Sequence, residues 1–130
     1  SMVWRNNGGN FTPVPLPSIA QVAPLRGCVV ADVNGDGNKD LIIAGNLYGT
    51  EVETTRYDSG TGCVLLGDGK FGFTPMSIGR SGFFADGNVC AVAEIQSNGK
   101  GVPSVIVANV DGPLQLFTLR AASAARLAQR

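Results

Sequence analysis

Asp32, Asn34, Asp36, Asn38 and Asp40 occupy alternate positions of the stretch DVNGDGNKD, which gathers three of the chain's ten carboxylates. Oxygen-bearing side chains interleaved with glycine suit a hard cation, since Ca2+ takes about six to eight oxygen ligands at flexible geometry. An EF-hand loop supplies them from roughly positions 1, 3, 5, 7, 9 and 12, with glycine at 6. With Asp32 as the first position, Gly37 falls on the required glycine, but the closing glutamate is replaced by Ile43. The flanks Val29-Val30 and Leu41-Ile42-Ile43 read as strands, not helices. The spacing therefore predicts a strand-loop-strand calcium site that closes at Asp40. Asp32, Asn34, Asp36 and Asp40 would give side-chain oxygens and Asn38 its main-chain carbonyl. Carboxylates this close repel one another unless a cation lies between them. Mg2+ suits the set less well because it gives up its water reluctantly. The competing reading is a metal-free turn in which Asp and Asn cap their own backbone. That reading explains the glycines but not the spacing of all the ligands.

A second candidate is the long excursion from Asn46 to Thr61, which carries Tyr48, Glu51, Glu53, Arg56, Tyr57 and Asp58. Long loops on a rigid scaffold often hold binding residues. The alternative is internal: Arg56 pairs with Glu51, Glu53 or Asp58 to order the loop, and Tyr57 packs on it. Other chemistry finds little support. The chain has no histidine, which removes histidine as a base, a triad member or a metal ligand. Gly67-Asp68-Gly69-Lys70 lacks the spacing and hydroxyl of a phosphate loop, and Gly60-Thr61-Gly62 does not extend to a dinucleotide fingerprint. Ser81 has no evident base nearby in sequence. Asn10-Phe11-Thr12 fits a glycosylation triplet, a pattern common by chance.

These residues need strands to position them. The chain has 130 residues, 44% of them hydrophobic, with ten charges of each sign. That composition supports a packed core and gives no basic footprint for nucleic acid. No apolar run is long enough to span a membrane, and Ser1–Asn10 does not read as a signal peptide. Glycine- and proline-punctuated runs predict strands at Cys28–Val33, Leu41–Ala44, Cys63–Leu66, Val89–Ile95, Val105–Ala108 and Leu114–Leu119. Only Ala121–Gln129 reads as helical, and it reads as a frayed or disordered end. Cys28, Cys63 and Cys90 read as buried free thiols, with a Cys28–Cys90 bridge as the weaker alternative.

The strands repeat. Phe11-Thr12-Pro13 recurs as Phe73-Thr74-Pro75, Cys28 as Cys90, and Val30-Ala31-Asp32-Val33 as Val92-Ala93-Glu94-Ile95, all at a shift of about 62 residues. A unit of that length with four short strands has the size of a propeller blade. The predicted architecture is all-β, with about two four-stranded antiparallel blades. Residues 1–25 hold the last two strands of a preceding blade and a linker, 26–76 a complete blade with the calcium loop, and 77–119 the next blade. Residues 120–130 form the tail. A ring needs more blades, so the chain is expected to be part of a longer propeller or a protomer of an oligomeric ring. The second copy of the loop, Glu94 to Ser104, keeps only scattered donors. It is expected to hold no ion, which casts the first loop's ion as a staple and not a catalyst.

DVNGDGNKDLIIAG resembles the calcium loop of FG-GAP (VCBS-like) repeats, found in seven-bladed propellers such as the integrin α-subunit head and in bacterial surface proteins. LLGDGKFGFTP and ETTRYDSGTGCVLLGDG are similar to later stretches of such repeats. The resemblance implies a propeller with Asp32, Asn34, Asp36, Asn38 and Asp40 at the ligand positions, and Ca2+ as a structural cofactor. It implies a non-enzymatic segment of an extracellular, cell-surface or periplasmic protein, acting in adhesion or ligand binding. Its partner would be a protein or glycan, and neighbouring blades or a second copy would flank it. Nucleic acid and membrane insertion are not expected. The alternative is a lectin-like or hydrolytic propeller with its site on the Asn46–Thr61 excursion.

Overall fold

The computed structural model describes residues 1–96 and 103–119. The tail helix expected at Ala121–Gln129, and the body of the second loop, lie outside the described residues. Among the described residues, nine strands form three antiparallel sheets in chain order. Strands β1 (Met2–Asn6) and β2 (Phe11–Pro15) form a two-stranded sheet. The four-stranded sheet holds β3 (Gly27–Ala31), β4 (Asp40–Ala44), β5 (Cys63–Gly67) and β6 (Phe73–Met76). A three-stranded sheet follows, with β7 (Val89–Gln96), β8 (Pro103–Asn109) and β9 (Gln115–Thr118). Every strand read from the sequence falls on an observed one. Ends differ: β9 is shorter than 114–119 by one residue at each end, and β3 stops at Ala31, short of Val33, because the chain must already turn to bring Asp32 and Asp40 onto loop amides.

The repeat is visible in the elements themselves. β2 begins at Phe11 and β6 at Phe73, and β3 begins at Gly27 and β7 at Val89, at one and the same spacing. Two single-turn helices were not legible in advance. Ser18–Gln21 is a 3-10 turn. α1 (Ile78–Ser81) ends at Gly82 in the left-handed region (φ 66°), whose N–H caps the carbonyl of Ile78.

Every residue of β4 is buried, unlike the alternating pattern of a sheet with one wet face. The reason is that this sheet packs on both sides. Val29, Ile42, Ala44 and Val64 face Phe83, Ala85, Val89, Val105 and Val107 of the following unit. Leu41, Ile43, Cys63 and Leu65 meet Leu16 and Ala20 from the N-terminal segment. β3 packs against β7, and a Cβ added to Gly27 would sit 2.5 Å from the backbone nitrogen of Val92. A glycine at the repeat contact lets the first strands of the two sheets approach this closely.

All three cysteines are free, so no Cys28–Cys90 bridge forms. The expectation of buried thiols holds for Cys63 only; Cys28 and Cys90 are exposed. Strand alternation explains the difference at Cys28, which takes the face opposite buried Val29. Burial raises the Cys63 thiol pKa to about 11, and partial desolvation raises that of Cys28 even though part of its surface is exposed. A thiol reagent at pH 8 is expected to label Cys90 first and Cys28 more slowly, with Cys63 reacting only on unfolding. Mass spectrometry of the labelled peptides checks the order.

Candidate functional site

The β3–β4 loop is built around carboxylates that accept backbone N–H groups. Asp32 Oδ1 accepts from Gly35 N at 2.7 Å and Asp36 N at 3.2 Å, and its Oδ2 accepts from Gly37 N at 2.9 Å. Asn34 Oδ1 accepts from Asp36 N at 3.0 Å, while its Nδ2 donates to Asp36 Oδ2 at 2.9 Å. Asp36 Oδ1 accepts from Asn38 N at 2.8 Å. The backbone N–H of Asn38, followed by the amide of Asn34, holds the Asp36 carboxyl below its ordinary pKa. Gly35 and Gly37 supply the positive φ angles, 78° and 85°, that wrap the loop around Asp32.

Asp40 plays a different part. It is fully buried, and its two oxygens accept from Val33 N and Gly67 N, each at 2.8 Å. It thus ties the loop to the far end of β5. The contact requires glycine, since a Cβ on Gly67 would lie 2.1 Å from the Lys39 carbonyl oxygen. Asp32 and Asp36 are exposed, and Asn34 and Asn38 are half-buried. Among the described residues no three acidic, histidine or cysteine side chains converge on one point. The donor chemistry nevertheless fits a hard cation: the set is all oxygen, and an oxygen that accepts one N–H keeps a second lone pair.

Beside this loop the β5–β6 turn is held in the same way. Asp68 accepts from Lys70 N and Gly72 N at 2.7 and 2.8 Å, which lowers its pKa. Phe71 adopts a φ of 69°, costly for a bulky residue, and its ring lies under the Arg5 guanidinium at 5.5 Å.

The excursion after β4 is closed by Asn46, which is fully buried. Its Nδ2 donates to the carbonyls of Gly60, Asp86 and Gly87 at 2.9, 3.0 and 3.0 Å, and its Oδ1 accepts from Gly60 N at 2.9 Å. Further out, Leu47 and Tyr57 exchange two backbone hydrogen bonds at 2.9 Å. Arg56 Nε donates to Asp58 at 2.8 Å, and its guanidinium lies 4.5 Å from the ring centre of Tyr48. Asp58 accordingly raises the Arg56 pKa. The Tyr48 hydroxyl donates to the Asp86 carbonyl at 2.9 Å.

Of the six candidate residues on this loop, Tyr48, Arg56 and Asp58 are therefore brought together to order it. Arg56 lies on Tyr48, where Tyr57 was the expected neighbour. The Tyr57 side chain is half exposed. Glu51 and Glu53 sit at the tip on either side of fully exposed Val52, and neither makes an ion pair among the described residues.

Sequence reasoning missed Asn46 as a node and Asn109 as its counterpart. The signal was present: one asparagine closes Leu41-Ile42-Ile43-Ala44 after Gly45, and the other closes Val105-Ile106-Val107-Ala108. Asn109 Nδ2 donates to the Pro113 carbonyl at 2.9 Å, as Asn46 does to that of Gly60. Proline has no N–H to return, and the buried Asn109 Oδ1 has no partner.

No curated protein and no solved structure matches the chain. Residues 1–43 match the model of the FG-GAP-like repeat, a stretch that takes in the whole Asp32–Asp40 loop. That match and the antiparallel sheets in chain order make the first third of the chain similar to an FG-GAP-like repeat, within an all-β architecture consistent with propeller blades.

Proposed function

We propose that the chain is a calcium-stabilised propeller segment of an extracellular or cell-surface protein, acting without catalysis in adhesion or ligand binding. The observation that carries this reading is the oxygen-only loop set between two paired strands, inside the stretch that matches the FG-GAP-like repeat. Repeats of this kind are generally non-enzymatic structural or binding modules. Asp32, Asn34, Asp36, Asn38 and Asp40 are the residues that would hold Ca2+, which would neutralise the loop's carboxylates and fasten β3 to β4. The three sheets would then be parts of successive blades, with their open faces covered by neighbouring blades or by a second copy. Trp4, Phe11 and Leu116 are exposed on the first and last sheets, as such covering requires.

Melting the protein in Ca2+ and in chelator tests the ion. At a hundredfold excess of Ca2+ over its Kd the gain is about 2.7 kcal/mol, or roughly 10 °C for a domain of this size. Asp36→Ala is expected to remove most of that calcium-dependent gain. A melting temperature indifferent to calcium in the parent chain would sink the proposal.

A further inference from the structure

The first and last sheets each turn one face away from the rest of the described fold. On the first sheet Val3 packs toward the second sheet and Arg5 lies over Phe71, so the alternate residues Met2, Trp4, Phe11 and Pro13 point the other way. On the last sheet Val92, Val105, Val107 and Phe117 pack toward the second sheet, which leaves Ala91, Ala93, Ile106 and Leu116 on the far side. None of these eight outward residues is charged, although a sheet with one wet face ordinarily turns polar side chains to water. Trp4 is 58% exposed, Phe11 61% and Leu116 62%.

We propose that the two faces are the two halves of one interface, and that the first sheet of a second copy of this chain docks on the last sheet of the first. The inference deepens the reading that the open faces are covered, and rests on it, by naming the occupant.

The chain already makes this contact internally. Trp4 stands opposite Pro13 as Leu65 stands opposite Pro75, so Trp4 is the counterpart of Leu65. Leu65 has no exposed surface and packs with Leu16 and Ala20 of the preceding segment. At the other end, Val29-Val30-Ala31 recurs as Ala91-Val92-Ala93. Val29 and Ala31 pack toward the sheet that follows, whereas Ala91 and Ala93 are exposed. The first sheet therefore presents the face that this repeat turns to a preceding unit, and the last sheet the face that it turns to a following one. A second copy carries both, so each open face finds its partner on it. Size agrees as well: Trp4, Met2 and Phe11 are bulky, while Ala91 and Ala93 are small and leave room.

Because the two halves differ, the contact is heterologous. Each copy keeps one free half after pairing, and association continues to a closed ring or a filament. A face that paired with itself would stop at a dimer.

Sedimentation velocity of the intact chain in calcium buffer tests the proposal, from about 10 µM to about 1 mM. The parent is expected to grow beyond a dimer as concentration rises. Trp4 is the chain's single tryptophan, so its emission is expected to move to the blue along the same curve. Trp4→Glu and Leu116→Glu each spoil one half and are expected to weaken self-association roughly tenfold or more. Both side chains are exposed, so the melting temperatures are expected to stay near the parent's. Phe11→Glu and Thr118→Glu take their place if either variant fails to fold. Mixed in equal amounts, the two variants are expected to associate again through the intact half of each, and to stop at a one-to-one dimer. The proposal is overturned by a parent that stays monomeric at the highest concentration, or by variants that associate as the parent does, through strand edges or another surface. A mixture no more associated than its components overturns it too. The melting comparison in chelator reads calcium independently, so a monomeric parent that calcium stabilises would overturn this inference alone.

Discussion

Asn46→Ala is expected to be the most damaging single substitution in the chain, costing about 4 kcal/mol. The wild-type side chain serves four backbone groups from a fully buried position: the N–H and carbonyl of Gly60 and the carbonyls of Asp86 and Gly87. Each buried group left without a partner costs about 1–3 kcal/mol, although such losses do not simply add. The amide has two protons for three carbonyls, so the three bonds share donors and the sum overstates the loss. Asn46→Asp keeps the acceptor for Gly60 N but turns a carboxylate toward three carbonyls, and it should be no better tolerated. By contrast Arg56→Ala removes an exposed, solvent-screened ion pair and a stacked guanidinium, and is expected to move the midpoint far less. Urea midpoints for the three variants check the ranking. An Asn46→Ala protein as stable as Arg56→Ala would show that the excursion is not anchored through this side chain.

Asp40→Asn is expected to cost about 2–3 kcal/mol, and to do so in chelator as well as in calcium. Its two oxygens receive the N–H groups of Val33 and Gly67. An amide keeps one acceptor and sets an N–H2 group against the other donor. The persistence in chelator separates this residue from Asp36, whose carboxylate is exposed and whose replacement is expected to matter chiefly when the ion is present. Thermal melts of both variants with and without calcium give the four values required. An Asp40→Asn penalty that vanishes in chelator would mean that Asp40 acts only through the metal.

The strands and the repeat were legible because both are local properties. Runs such as Val105–Ala108 and Cys63–Leu66, bounded by glycine, asparagine and aspartate, carry their own β signal. The match of Phe11-Thr12-Pro13 to Phe73-Thr74-Pro75 likewise needs no knowledge of packing. Burial was harder. Cys28 and Cys90 sit in apolar runs, yet the face each takes depends on pleat register and on which side the next sheet lies. The loop's self-capping by Asp32 follows from the Asp-Gly turn chemistry weighed at the outset. Nothing in the nine residues reveals that Asp40 reaches Gly67, because that bond joins residues in different strands. Asn46 is the extreme case, since two of its partners lie about forty residues away. The unpaired Asn109 Oδ1 was invisible for a related reason. A proline at 113 is an ordinary turn residue until it stands where another repeat uses an N–H.

One consequence of the Asn46–Gly60 contact concerns what the protein can carry. The same side chain holds both the N–H and the carbonyl of Gly60, so the excursion leaves and re-enters the fold at a single clamped gate. Beyond Tyr48, which is tied to Asp86 and Asn88, residues 49–59 are then an exchangeable cassette with no hydrogen bond to the described residues of the sheets on either side. Lengthening such a loop costs only about 0.6 kcal/mol for each doubling. The gate therefore permits wholesale variation of the presented surface, by natural drift or by grafting, wherever Asn46 and Gly60 are kept.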